Sequence, residues 1–202
     1  VEEASLFLGL SRISELIIAT PIIEEIQEFG KNARVVNWTE FWRHSIGSAI
    51  MTRELLAAAD IQWEDEGDYV AGLVHNLGKI IMAVTFPDQF GKLCELSGES
   101  TEAICEEERR LLGWDHAKMG AFYLWNHHIA HEIVQATQYH NVPDEAPEHS
   151  ELTAAVQLAD NLVRAGGIMG IEKVKPTSKS KWPQLAGWKI LFGDDETITE
   201  EQ

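Results

Sequence analysis

Apolar residues recur at three- and four-residue intervals along most of the chain, and no stretch alternates apolar with polar positions as a strand would. This pattern predicts an all-α protein. Leu6, Leu10, Ile13 and Ile17, followed by Ile22, Ile23 and Ile26, mark a helical segment over 4–29. Thr20-Pro21 should kink or divide it, because proline lacks a backbone N–H and disfavours helix at the residue before it. Phe41, His44, Ser48, Met51 and Leu55 share one face of a helix over about 40–59, with Thr39 as its expected cap. Asp60 to Gly67 reads as an acidic loop. Residues 68–84 are apolar on every side, which predicts one buried central helix. Beyond Pro87, helices are expected at about 88–97, 100–112, 116–126 (capped by Gly113-Trp114-Asp115), 130–140 and 149–165. Pro143 and Pro147 punctuate one connection, and Gly166-Gly167 ends the last strong helix. Residues 168–188 carry Lys173, Lys175, Lys179 and Lys181 among glycines and prolines and read as a loop or extended arm. A short apolar return from Trp188 to Phe192 precedes an acidic tail, and no internal repeat is evident.

Composition narrows the class. A chain of 202 residues buries about two-thirds or more of its unfolded surface and needs no disulfide to fold. It is 45% hydrophobic and 24% charged, the balance of a globular protein. No apolar run approaches the ~20 residues of a membrane span, and the first residues show no signal-peptide pattern. Cys94 and Cys105 form no C-x-x-C motif and read as reduced thiols, so a cytoplasmic location is expected. Sixteen Lys and Arg against 33 Asp and Glu give a net charge of −17. Such a surface repels a polyanion and argues against direct nucleic-acid binding. Trp63 and Trp182 are expected at the surface, as interface markers or as covers over a core.

Candidate chemistry lies in six polar positions: His44, His75, Asn76, His116, His140 and Asp160. They fall in or beside predicted helices, and a bundle whose helices each turn one polar group inward is a common way to build a metal site. Imidazoles and carboxylates are ligands for divalent transition metals. Each residue also has a plainer reading. His44 could be a satisfied core histidine, His116 could face solvent beside Asp115, and His140 could answer a helix dipole. Asp160 is the most telling, since a carboxylate in an apolar helical stretch needs a partner. His127, His128 and His131 read as a solvated turn, and His149 as a surface residue.

Taken in order, these residues lie within family-like segments. Ala4-Ser-Leu-Phe-Leu-Gly9-Leu-Ser-Arg12-Ile opens the series. Phe41-Trp-Arg-His44-Ser45 and Ala71-Gly-Leu-Val-His75-Asn76-Leu-Gly78-Lys79 follow. Glu107-Glu108 and Leu112-Gly-Trp-Asp115-His116-Ala117-Lys-Met-Gly120 come next, then Trp125-Asn126, Glu132-Ile-Val, Tyr139-His140-Asn141 and Gln157-Leu-Ala-Asp160. Over about residues 1–165 the chain resembles the HDOD domain, a regulatory branch of the HD superfamily of phosphohydrolases in bacterial signalling proteins. The resemblance implies an HD-like helical bundle lacking the family's N-terminal portion, with residues 166–202 packing on the same domain.

Catalytic HD enzymes, as the resemblance implies, bind a first metal through a His, a His-Asp pair and a distal Asp. Those positions here are His44, His75, Asn76 and Asp160. His116 and His140 fall where the cyclic-dinucleotide branch adds ligands for a second metal. The paired histidine of that branch is Asn141 here, and its Gly-Tyr-Pro motif is missing. Asparagine at 76 offers one neutral oxygen where an aspartate would offer charge to two metals. The expectation is therefore a signalling module with a polar or single-metal site (iron, manganese, nickel or zinc) that engages a protein partner. The alternative is a metal-dependent phosphohydrolase acting on a nucleotide or cyclic dinucleotide. In that case Lys79 would meet a substrate phosphate; otherwise it pairs with an acid such as Asp160.

Overall fold

A computed structural model describes residues 36–63, 67–96, 98–171 and 174–193, together with the isolated positions 20, 21, 24, 26 and 28. Among the described residues there are nine full α-helices and no strand. They are α1 (Trp38–Ala58), α2 (Gly67–Val74), α3 (Leu77–Thr85), α4 (Pro87–Cys94), α5 (Thr101–Leu112), α6 (His116–Asn126), α7 (His131–Tyr139), α8 (Ser150–Ala165) and α9 (Ala186–Phe192). Single 3-10 turns at Pro143–Glu145 and Lys179–Gln184 complete the connections. The isolated positions from Thr20 to Glu28 are helical. The rest of the helix expected over 4–29, the Ala4–Ile13 motif and the acidic tail lie outside the described residues.

α1 starts two residues earlier than the sequence pattern suggests, and Asn37 rather than Thr39 is its cap. The Glu40 N–H donates to Asn37 Oδ1 at 3.2 Å, satisfying a first-turn donor the helix itself cannot pair. Ser100 and Asp115 cap α5 and α6 in the same way. α1 packs most extensively on α8 and α2, α6 on α7 and α3, and α9 on α8. Two apolar cores result. One gathers Phe41, Leu73, Leu77, Ile80, Phe90 and Leu124; the other gathers Leu56, Leu152, Val156 and Trp188. Trp63 and Trp182 are half-buried against the second core, so packing accounts for both. Among the described residues, the exposed large aromatics are instead Phe122 (56%) and Trp125 (61%) on α6.

The single helix expected over 68–84 is two helices, broken at His75-Asn76. His75 Nδ1 lies 2.8 Å from the Gly72 carbonyl, the acceptor that an unbroken helix would give to the Asn76 N–H. The ring N–H takes that carbonyl, α2 ends, and α3 restarts in a new direction. Glycines on either side let the break press against its neighbours. A Cβ on Gly72 would come within 2.7 Å of Ala49 Cα in α1. A Cβ on Gly78 would fall 1.9 Å from the His116 carbonyl oxygen in α6, so only glycine allows α3 and α6 to meet there.

Candidate metal centre

The six polar positions singled out in the sequence are all buried, at 4% exposure or less. Their backbones come from α1 (His44), the α2–α3 break (His75, Asn76), the start of α6 (His116), the end of α7 (His140) and the middle of α8 (Asp160). The rings form a chain. His44 and His75 have centroids 5.6 Å apart, His75 and His140 5.1 Å, and His140 and His116 5.4 Å. His116 is thus neither solvent-facing nor idle beside Asp115, and His140 is a buried member of the centre.

All four histidines are held in one way. His44 Nδ1 lies 2.9 Å from the Ile168 carbonyl, and His75 Nδ1 2.8 Å from that of Gly72. His140 Nδ1 lies 2.8 Å from the Thr137 carbonyl, and His116 Nδ1 2.7 Å from Glu108 Oε2. Each acceptor assigns a proton to Nδ1, which leaves Nε2 as the nitrogen with metal-binding capacity. His75 and His140 use one local device: each stands just after a helix and bonds the carbonyl three residues back.

Asp160 gathers the first half of the centre. Its Oδ1 lies 2.8 Å from His44 Nε2 and 3.4 Å from His75 Nε2. The ligand atoms of these three residues lie within 4.8 Å of one another, close enough to share one ion. The same oxygen also meets Arg164 Nη2 at 2.8 Å, one helical turn on. Burial opposes ionisation of Asp160, but the Arg164 guanidinium and the two imidazoles that lie against its oxygen outweigh it and hold the carboxyl well below its usual range. Burial lowers His75, and burial with two neighbouring imidazoles lowers His140 further, so both rings are neutral near pH 7. Neutral imidazoles beside an ionised carboxylate are the protonation states a metal requires.

In the second half, Asn76 Nδ2 sits 2.6 Å from His75 Nε2, and its Oδ1 is buried with no hydrogen-bond partner. A buried acceptor left unpaired costs about 1–3 kcal/mol, and a cation would satisfy it. His116 groups with Cys105 and Glu108 rather than with Asp160. Burial pushes Glu108 up to about 7, against the opposing pull of Lys79 and the His116 N–H. Burial also raises the Cys105 thiol, so this cysteine is inert as well as unbonded to another. Lys79 favours the charged form of Glu108, and Arg164 is the guanidinium on Asp160.

Glu108 and Arg164 had drawn no attention as site residues in the sequence. Glu108 follows Ile104 by four and Cys105 by three, on the buried stripe of α5, and Arg164 follows Asp160 by four; both spacings were visible. His127 and His128 are exposed, as is His131, while His149 is partly so; His131, Glu148 and His149 form only a loose surface group.

An all-helical bundle that closes around histidines and a carboxylate has the architecture of the HD class. A profile of the HDOD domain matches residues 1–143, and the chain belongs to that family. An HDOD domain protein of unknown function from Geobacter sulfurreducens superposes with a TM-score of 0.77 at 21% identity, over 96% of this chain and 64% of that one. A candidate phosphohydrolase from Shewanella amazonensis SB2B gives 0.68 at 20% identity, over 95% and 66%. At this identity both likenesses speak for the fold alone. An uncharacterized protein of Treponema pallidum (strain Nichols) is 22% identical over 81% of this chain and 31% of its own length. The chain thus spans about a third of that relative and just under two thirds of the Geobacter protein. No helix among the described residues is long and apolar enough to cross a membrane.

Proposed function

We propose that this HDOD chain is a cytoplasmic bacterial signal-relay module built around a single-metal histidine–aspartate centre, acting through a protein partner rather than by efficient phosphodiester hydrolysis. The observation that carries this reading is the common mounting of the four histidines, each held through Nδ1, with the Nε2 atoms of His44 and His75 turned to Asp160. His44, His75 and Asp160 would hold the ion, with Asn76 Oδ1 beside them and His140 next in the chain of rings. Iron, manganese, nickel and zinc all suit this donor set. When bound, such an ion supplies Lewis acidity to a phosphoryl oxygen.

Three features of the chain favour relay over turnover. Asn76 brings no charge to bridge a second ion. Arg164 already occupies the Asp160 oxygen that an ion would use. The segment after α8 covers His44, with the Ile168 carbonyl on its ring nitrogen and Gly170 packed against the ring. The competing reading, a phosphohydrolase acting on a nucleotide or cyclic dinucleotide, draws on buried Lys79 and on the likeness to the Shewanella protein.

Elemental analysis of protein purified without added ions tests the metal, and an assay with cyclic dinucleotides and Mn²⁺ tests turnover. About one ion per chain with no turnover is expected. Asn76→Asp is the sharper probe. An added charge at this range shifts a proton equilibrium by about 1–3 units, and divalent-ion binding should tighten by about tenfold or more. Metal-free protein whose affinity Asn76→Asp leaves unchanged would sink the metal reading. Wild-type turnover abolished by His75→Ala would establish the hydrolase instead.

A further inference from the structure

The metal reading leaves the lysine-rich arm unused. Lys175 and Lys181 line a cavity of about 290 Å³ between the first turn of α5, the flank of α8 and the arm itself. The chain carries 33 acids, yet neither ammonium is held in an ion pair among the described residues. Among the described residues, Glu102 is the single acid lining the cavity, against these two lysines.

The frame of the cavity is fixed by hydrogen bonds. Gln157 Oε1 accepts from the Gly187 N–H at 2.8 Å, and Asn161 Oδ1 accepts from the Thr177 N–H at 3.1 Å, which ties the middle of the arm and the start of α9 to α8. The first turn of α5 opens into the space. Ser100 Oγ takes the Ala103 N–H and the Ser100 carbonyl takes that of Ile104. The Thr101 and Glu102 N–H groups have no backbone or side-chain acceptor among the described residues, so the positive end of a twelve-residue helix faces the cavity. Two ammonium groups, a helix N-terminus and hydroxyl groups are the donors that hold a phosphate, and Pro176 and Leu185 give the same cavity an apolar wall.

We propose that this cavity binds a phosphate monoester of mononucleotide size, with Lys175 and Lys181 on the phosphate and the Pro176–Leu185 wall against the organic part. The volume sits at the lower edge of the ~300–1,000 Å³ common for small-molecule sites, which suits a mononucleotide better than a dinucleotide. This site goes beyond the metal reading and does not depend on it. Arg164 stands between the two, with Nη1 donating to Thr101 Oγ1 at 3.2 Å and Nη2 on Asp160.

The test is calorimetric titration of the purified protein with the four 5′-mononucleotides, with the matching nucleosides and with inorganic phosphate, in about 150 mM NaCl, run both with and without EDTA. Saturable binding of at least one nucleotide is expected, tighter than its nucleoside. The double variant Lys175→Ala/Lys181→Ala should weaken it by about tenfold to a hundredfold while leaving the ligand-free melting temperature unchanged, both side chains being exposed. Absence of saturable binding overturns the proposal, as does a nucleoside that binds as well as its nucleotide or a double variant that binds like wild type. Binding that disappears with EDTA and survives in the double variant would place the phosphate on the metal centre, refuting the cavity while supporting the metal reading.

Discussion

Asp160 and Glu108 are the two buried carboxylates of the polar centre, and the fold moves their acidities in opposite directions. Burial penalises the charge of both. Asp160 overcomes it because a guanidinium touches its oxygen at 2.8 Å and two imidazoles lie against it. For Glu108 the field of Lys79, the His116 backbone N–H and the field of Arg109 offset only part of the burial, and its carboxyl rises to about 7. Their places differ as well: Asp160 meets histidines at Nε2, the metal-binding side, whereas Glu108 meets His116 at Nδ1, the side that orients the ring. Similar burial therefore yields an ionised carboxylate on the Nε2 side of the rings in one half and a ring-orienting carboxylate in the other, and the nearest cation decides which is ionised.

Replacing Asp160 by Ala should break this contrast most severely. It strands Arg164, 4% exposed, without its anion, and loss of one partner from a buried pair costs about 3–5 kcal/mol. Urea denaturation measures this, and a second change, Arg164→Met, should recover part of the loss. A single variant within about 1 kcal/mol of wild type would contradict the pairing. Gly78→Ala comes next, at about 1–3 kcal/mol, because its Cβ displaces the start of α6 and with it His116; metal stoichiometry should fall in step. Glu108→Gln is milder. Its amide oxygen still accepts from His116 Nδ1, so stability should change by about 1 kcal/mol, and metal affinity by less than the tenfold to hundredfold typical of losing an orienting group.

The smallest effect is the pH dependence of the metal-free protein. Burial holds the folded pKa values of His75 and His140 below the usual 6.5 of a free imidazole. The unfolded chain binds protons that the fold refuses, so stability is lost as pH falls below about 6.5. Glu108, raised from 4.5 to about 7, acts in the opposite sense, since the fold binds its proton first and stability falls as pH rises through that window. With two histidines against one glutamate, unfolding measured in EDTA should show a net loss from pH 6.5 to 5.5. Glu108→Gln should steepen that loss, and an unchanged slope would mean Glu108 does not titrate there.

The fold was legible where periodicity is one-sided. The face of Phe41, His44, Ser48 and Leu55 placed α1 and turned His44 inward, and Asp160 stood out as a carboxylate in an apolar stretch. Residues 68–84 misled because a segment apolar on all sides has no stripe to interrupt. The break depends on a ring N–H taking the Gly72 carbonyl, which no hydrophobic pattern records. Arg164 and Glu108 escaped for a related reason. Each looks like an ordinary helix-surface charge until the packing shows it sealed, at 4% and 0% exposure, against a partner already in view.

The glycines around His75 have a mechanical consequence. Gly72 bears on the main chain of α1 and Gly78 on that of α6. Side chains can trade rotamers to absorb a change in volume, but main chains in contact cannot approach further. The short arch carrying His75 and Asn76 is therefore clamped like a gauge block between two rigid faces. Enlarging or trimming residues of either apolar core should change how firmly the protein folds while leaving the spacing of its rings alone. A single methyl group added at either end of the arch would reset that spacing.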